Sequence, residues 1–300
     1  MRRGLSAAIF AILFCGLPGS GSPAGPLHAD ETARFEHIKK ERGLSSLSVS
    51  SIVQDERGFL WFGTQSGLNR YDGYEFKVFK KRPFDENSLS HDLIQTLYMD
   101  EEHTLWVGTY NGLNRFDTRT GDVKRYLHEP EEPSSLSDDV VVSILRDARG
   151  TLWVGTLDGL NRFDEESGSF VRYQHDPGDP GSIGHDTIRD LYEDPAGRLW
   201  VATYGGLSRY HREDGTFSTY GMDPEETGGA GSDYIMAVAQ SRPGHLWVGT
   251  WGGAGLYDFD METKSFTSHP LPDERVYTLN TQTSGRLLAG TWGGGMMEVD

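Results

Sequence analysis

The sequence has very little cysteine, a shortage of basic residues and no long apolar run after its first thirty residues. Its 300 residues include one cysteine, and 28 Lys and Arg against 45 Asp and Glu give a formal net charge of −17. A single cysteine excludes a disulfide framework. The acidic balance, which we interpret as a solubility feature, makes nucleic acid and anionic lipid poor partners. No segment beyond the N-terminus is long and apolar enough to cross a membrane.

The N-terminal segment has the parts of a secretory signal peptide. Two basic residues precede an apolar run at 5–17, and a Gly/Ser/Pro stretch follows it as far as Ala29. This pattern predicts a signal peptide at 1–29 and an exported domain at 30–300. Cleavage near Ala29 would remove Cys15, which has a bulky neighbour where a lipid anchor needs a small residue.

The remainder of the chain repeats one segment at a nearly constant interval. Copies begin at Asp55, Asp100, Asp147, Asp194 and Ser241, and an eroded sixth copy begins at Thr283. The first five copies each contain one tryptophan, and these lie 45, 47, 47 and 47 residues apart: Trp61, Trp106, Trp153, Trp200 and Trp247. Leu288 takes this place in the sixth copy. A period of this size indicates an array of one supersecondary unit.

Each repeat contains four short runs with β-type alternation and none with helical spacing. In the third repeat these runs fall at 140–145, 152–155, 160–163 and 170–173, separated by turns rich in Asp and Gly. The sequence therefore predicts an all-β fold, a β-propeller of four-stranded antiparallel blades with six blades visible. The predicted units are approximately 44–79, 89–126, 136–173, 183–220, 230–269 and 271–300.

The repeated tryptophans are predicted to have a structural role as wedges between neighbouring blades. The glycine of the Gly-Thr pair that follows would let the backbone approach the ring closely. Because each blade buries its faces only against its neighbours, the repeat is expected to encode packing before function.

The two ends of the array complement each other. Residues 35–38 have the form of a fourth strand without the first three, whereas the last unit has no fourth strand before Asp300. The two parts are predicted to form one blade, which would close the ring and remove exposed edges. A stop at Asp300 also suits a chain cut from a longer one.

A ligand site is expected where residues vary while their neighbours repeat, on the face where loops meet around the channel. The positions directly after Gly-Thr, or Ala-Thr in the fourth unit, are of this kind, and four of six are aromatic: Gln65, Tyr110, Leu157, Tyr204, Trp251 and Trp292. These rings could stack on sugars or peptide side chains, or could simply cover the loop tips. Both interpretations stay open.

Carboxylates recur before the first strand of five units, at Asp92, Asp139, Asp186, Asp233 and Glu274. They could accept hydrogen bonds from a polyol or hold a hard cation. Asp before a strand is also a common turn residue, and a structural role predicts repetition in every blade, so we favour that role. His91 and His185 are too few to predict a metal site, and no cofactor is predicted.

The repeat resembles the two-component regulator propeller family, whose units follow D-x-x-G-x-L-W-x-G-T-x-x-G-L-x-x-[FY]-D. Residues 55–72 and 147–164 fit every fixed position, while 100–117 departs at His103 and 194–211 departs at Ala202 and His211. The resemblance implies a periplasmic sensor region, usually seven-bladed, that precedes a transmembrane helix and a histidine kinase or diguanylate cyclase. It also implies a homodimeric receptor. No kinase or cyclase signature occurs before Asp300.

Three classes of function follow. The first is a ligand-sensing module of a membrane receptor, tethered through a segment beyond Asp300, for a small molecule or oligosaccharide. The second is an extracytoplasmic lyase or glycoside hydrolase, which would need a singular acid or base that breaks the repeat. No such residue stands out, so the chain itself is predicted not to be an enzyme. The third is a passive interaction scaffold.

Overall fold

The computed structural model describes residues 43–100, 103–222, 234–282 and 284–299. These residues form six antiparallel sheets and no helix. The predicted signal peptide at 1–29 and the predicted strand at 35–38 lie outside the described residues.

Each sheet is one blade, and its strands pair in chain order. The strands are β1 (Val49–Gln54), β2 (Leu60–Thr64), β3 (Gly67–Tyr71) and β4 (Phe76–Phe79) in the first blade; β5 (Ile94–Met99), β6 (Thr104–Thr109), β7 (Gly112–Asp117) and β8 (Val123–Tyr126) in the second; β9 (Val141–Arg146), β10 (Leu152–Thr156), β11 (Gly159–Asp164) and β12 (Ser169–Tyr173) in the third; β13 (Ile188–Glu193), β14 (Leu199–Thr203), β15 (Gly206–Tyr210) and β16 (Phe217–Tyr220) in the fourth; β17 (Ile235–Ala239), β18 (His245–Thr250), β19 (Leu256–Asp260) and β20 (Phe266–Ser268) in the fifth; and β21 (Val276–Thr281), β22 (Leu287–Thr291) and β23 (Gly295–Val299) in the sixth.

The blades are arranged as a β-propeller, as the repeat predicts. The first strands of successive blades contact one another, from β1 to β5 and onward to β21, so these six strands are innermost and surround the channel. The predicted strand boundaries of the third blade agree with β9 to β12 to within about two residues. The sixth blade shows three strands among the described residues.

The repeated tryptophan packs between blades, and the repeated aspartate holds it there. Trp153 is fully buried, and its indole N–H donates to Asp147 Oδ2 at 2.8 Å. Its ring meets Tyr210 of the next blade edge-on, with centroids 4.9 Å apart. Asp147 Oδ1 meanwhile accepts from the backbone of Arg149 and Thr151. One carboxylate thus fixes both the turn and the interblade ring, which explains the spacing from Asp to Trp in the repeat.

The glycine of the Gly-Thr pair serves a different contact from the predicted one. A Cβ on Gly155 would lie 2.6 Å from Ile188 Cγ2, on the innermost strand of the next blade. The close approach is therefore confirmed, but the neighbour is Ile188 and not the tryptophan.

The outer edge of each middle blade is covered by the loop that leads into that blade. Phe170 N donates to Ser134 O, and Phe217 N donates to Gly181 O, both at 2.7 Å. Arg172 fastens the third blade's loop, because its Nε donates to Ser135 O at 2.9 Å and its Nη2 to Glu132 O at 2.8 Å. These loops satisfy backbone groups that an open edge strand would expose.

Candidate functional site

The varied residues that follow Gly-Thr lie on the turns between the second and third strands. Their backbone N–H groups donate to the loops that enter the innermost strands, as in Trp251 to Tyr234 O at 3.0 Å and Trp292 to Arg275 O at 2.9 Å. The turns and loops therefore meet on one face around the channel, as predicted. Trp292 is 63% exposed on this face, and Tyr110 is 46% exposed.

Three of these predicted aromatic residues come together with two others that the sequence did not single out. We call this group the aromatic cluster, and its members are Tyr204, Tyr234, Trp251, Tyr277 and Trp292. Ring centroids are 4.5 Å apart for Tyr204–Tyr234, 5.4 Å for Trp251–Trp292 and 5.9 Å for Tyr277–Trp292.

The cluster belongs to the fourth, fifth and sixth blades. Tyr110 instead lies 6.5 Å from His91, Gln65 is an exposed residue of the first blade, and Leu157 is exposed in the third. The structure thus groups the predicted aromatic positions on one side of the channel and leaves the other positions apart.

A second set of varied residues lies on the innermost strands, at a bulge that recurs in every blade. Register shifts in all six pairings of first and second strands leave one extra residue unpaired: Ser50, Gln95, Val142, Arg189, Met236 and Tyr277. A bulge redirects a side chain and often lies next to a functional site. Sequence reasoning missed this set because a bulge leaves no local motif, although each residue varies between neighbours that repeat.

Arg189 is the one cation among the six bulge residues, and it joins two parts of the aromatic cluster. Its Nη2 donates to Tyr277 Oη at 3.2 Å, which links the fourth blade to the sixth. Its guanidinium carbon lies 6.0 Å from the ring centre of Tyr204 and 5.7 Å from that of Tyr277. These distances are at the outer limit of cation–π contact.

Asp190, the next residue, is a carboxylate that breaks the repeat. Equivalent innermost positions hold Ser51, Thr96 and Ser143 in the first three blades. The expectation that no singular acid occurs is therefore wrong. Asp190 accepts from Val238 N in the fifth blade and from Leu191 N, both at 2.9 Å.

Burial raises the pKa of Asp190 to about 6, against the opposing effects of these two hydrogen bonds and of Arg189. The residue retains some accessible surface, but protein atoms closely surround its carboxylate. Both carboxylate oxygens accept backbone hydrogen bonds, so the group connects the fourth and fifth blades. Ser51 makes the same kind of link from the first blade, where its Oγ accepts from Leu97 N.

Three carboxylates of the predicted arc form hydrogen bonds that hold the loops before the first strands. Oδ1 of Asp92, Asp139 and Asp186 accepts a backbone hydrogen bond from the end of the preceding blade, at 2.7, 2.8 and 2.7 Å respectively. Glu274 is exposed, and its carbonyl accepts from Gly252 N. Asp233 lies outside the described residues. Within the described ranges, no three His, Cys, Asp or Glu side chains converge as a metal site would require.

A cavity of about 660 Å³ opens beside the cluster, between the fifth and sixth blades. Its walls are formed by Trp251, Gly252, Pro272, Asp273, Glu274, Arg275, Gly293 and Gly294. Hydrogen bonds from the Arg275 side chain and from the backbone of Arg275 and Gly293 lower the pKa of Asp273 to about 2, although burial opposes this. Asp273 is therefore ionised at neutral pH, and it pairs with Arg275 at 3.0 Å.

Four segments of the chain match a sequence model of a known family. The sequence model of the family described as "Two component regulator propeller" matches residues 43–66, 88–111, 135–158 and 182–205. The matched segments contain the Gly-Thr pair or its Ala-Thr equivalent and the varied residue after it.

Two relatives link these repeats to signalling proteins. A segment of 56 residues, 19% of this chain, is 45% identical to histidine kinase P4 of Formosa agariphila, of which it covers 4%. The extracellular domain of a protein described as a hybrid two-component system of B. thetaiotaomicron is 26% identical, with a TM-score of 0.75 over 88% of this chain. The present chain spans 35% of the length of that domain.

A third comparison concerns the fold alone. Virginiamycin B lyase of Staphylococcus aureus superposes with a TM-score of 0.63 at 12% identity, over 84% of this chain and 81% of the lyase. In the described part of this chain, no helix has the length and apolar character needed to span a bilayer.

Proposed function

Because the chain carries two-component regulator propeller repeats, we propose that it is the extracytoplasmic, ligand-sensing propeller of a membrane signalling receptor. The similar extracellular domain of a hybrid two-component system and the local identity to a histidine kinase support a sensor role. In this proposal the propeller binds and does not catalyse, because its singular acid, Asp190, is held by backbone hydrogen bonds to both carboxylate oxygens.

The observation that carries the proposal is the aromatic cluster at the channel mouth. A packing role predicts the same residue in every blade, yet these rings occupy positions that vary and converge on only three blades. Trp292 keeps 63% of its surface exposed, and Tyr277 keeps 41%. Large exposed rings beside a cavity are typical of a site for a small ligand, because the ligand covers apolar surface that is otherwise exposed to water.

The proposal extends to the full-length protein. The signal peptide at 1–29 directs export, a segment after the propeller tethers it to the periplasmic face of the membrane, and the receptor works as a homodimer. Its output module is a histidine kinase feeding a phosphorelay, or a diguanylate cyclase. Ligand binding would act on that module by favouring one of two receptor states, since a ligand shifts an equilibrium only through its differential affinity.

Thermal-shift screening of the mature propeller against oligosaccharides and small organic acids tests the sensing role. A ligand that binds only the folded protein raises the unfolding midpoint, and the stabilisation grows with the logarithm of its concentration once that concentration exceeds Kd. We expect Trp251→Ala to lose the ligand-induced shift while the unliganded midpoint stays near that of the parent.

Tyr110→Ala is the matched control, because Tyr110 occupies the equivalent turn of the second blade and lies against His91, outside the cluster. It should keep the full ligand-induced shift. A ligand response that survives Trp251→Ala and Trp292→Ala together would contradict the proposed site, and the absence of any response across the set would contradict a small-molecule sensor.

A further inference from the structure

Arg189 lies against the aromatic cluster, and its charge indicates which kind of ligand the cluster would bind. Among the described residues, no carboxylate lies within ion-pair distance of its guanidinium, and the buried Nε–H has no acceptor. Because protein atoms enclose this Nε, a ligand would reach the guanidinium through its terminal N–H groups. The hydrogen bond to Tyr277 Oη uses one of five N–H donors.

Two carboxylates in this part of the propeller already have other partners. Asp190 accepts from two backbone N–H groups, and Asp273, in the adjoining cavity wall, pairs with Arg275 at 3.0 Å. In a chain with a net charge of −17, an arginine without an ion pair is a local centre of positive potential. It therefore favours an anionic group over a cationic one.

The shape of the donor set indicates which anion. A planar guanidinium presents parallel N–H groups that match carboxylate and phosphate alike, but one arginine balances the single charge of a carboxylate and only part of the charge of a phosphate. The rings of Tyr204 and Tyr277 flank this fork at 6.0 and 5.7 Å from its central carbon. A ligand bound through the fork would bring its own ring against these aromatic faces.

We propose that Arg189 binds the carboxylate of a ring-bearing acid, either a uronic acid sugar or an aromatic acid, while the aromatic cluster packs on the ring. This proposal rests on the sensing function proposed above and names the class of its ligand. The bulge in β13 sets the specificity, because it places a cation where the other blades have Ser, Gln, Val, Met and Tyr.

Two pairs of probes, each differing by one charge, test the proposal by calorimetric titration of the mature propeller. Galacturonate is compared with its methyl ester, and 4-hydroxyphenylacetate with its amide. We expect the acid of one pair to bind about 10- to 100-fold more tightly than its neutral partner, as for a hydrogen bond to a charged group. The pair that shows this difference identifies the ring as sugar or aromatic.

Arg189→Gln is the test variant, because Gln95 already occupies the same bulge in the second blade and the fold accommodates it there. The variant should weaken binding of the acid to the level of its neutral partner and leave the neutral partner unchanged. Arg149→Gln, on an exposed turn, is the control and should bind like the parent.

The outcomes separate this proposal from the sensing function. If both members of a pair bind equally and Arg189→Gln changes neither, while Trp251→Ala abolishes both, the carboxylate role is overturned and the sensing site stands. If no probe binds, the ring-bearing acid is overturned, and the wider thermal-shift screen still decides the sensing function. If binding survives Trp251→Ala and Trp292→Ala together, both proposals fail.

Discussion

At the scale of the residue, tryptophan has two different roles in this propeller. Tryptophans within the second strands are buried between blades, whereas Trp251 and Trp292 on the turns lie at the channel mouth. The repeat separates the two kinds, because a packing residue must recur and a binding residue must vary. Spacing alone therefore predicted the structural tryptophans correctly.

Removal of a structural tryptophan should cost far more stability than removal of a turn tryptophan. Trp153→Ala would leave a large cavity against Tyr210 and remove one hydrogen bond to Asp147, so we expect a loss of about 3 to 5 kcal/mol in the free energy of unfolding. Trp292→Ala, at a site that is 63% exposed, should cost less than about 0.5 kcal/mol. Urea titration followed by circular dichroism measures both, and equal losses would contradict the two assignments.

Asp190 should give the protein a distinct dependence of stability on pH. Its pKa is raised from 3.8 to about 6 by burial, so between these values the folded state keeps a proton that the unfolded chain releases. The contribution of this group to stability therefore falls as pH rises from about 4 through 6. We expect the midpoint of Asp190→Asn, relative to the parent, to increase over that range in thermal melts.

Asp164→Asn is the control for this experiment. A hydrogen bond from Ser167, with further bonds from the Ser167 and Glu166 backbone, lowers the pKa of Asp164, so the residue stays ionised above pH 5 in both states. Its difference from the parent should be constant between pH 5 and 7. A constant difference for Asp190→Asn as well would show that Asp190 does not titrate as described.

At the scale of the element, the sequence specified the strands well and the loops poorly. Turn residues and alternation placed β9 to β12 because these signals are local. The covering of outer edges by loops depends on Arg172 reaching Ser135, 37 residues earlier in the chain, and on Phe170 pairing with Ser134. No local pattern predicts such contacts. The innermost bulges escaped prediction for the same reason, since a register shift is defined by two strands together.

The hydrogen bonds of the Arg172 guanidinium predict a local effect on the loop that precedes the third blade. Arg172→Lys replaces a fork bonded to Glu132 O, Ser135 O and Ser135 Oγ by a single ammonium, so we expect a loss of about 1 to 2 kcal/mol. Amide hydrogen exchange should accelerate at 129–137 and at the edge strand β12. Arg149→Lys, on an exposed turn of the same blade, should change neither. Faster exchange spread evenly over all blades would contradict a local role for Arg172.

At the scale of the whole molecule, the blades share one packing code but differ in what they present to the channel. The first three innermost bulges carry Ser50, Gln95 and Val142, and the last three carry Arg189, Met236 and Tyr277. The sequence predicted the propeller, and three of its candidate positions, Tyr204, Trp251 and Trp292, lie in the cluster. It did not predict Arg189 or Tyr277, because their meeting across two blades follows from the curvature of the array.

The most direct test of the central claim is hydrogen–deuterium exchange of the mature propeller with and without the tightest ligand from the screen. Exchange should slow in peptides that cover Arg189, Tyr204, Trp251, Tyr277 and Trp292, and should be unchanged in the first three blades. Protection that maps to the outer edges or to the first three blades would contradict a ligand site at the channel mouth of the fourth to sixth blades.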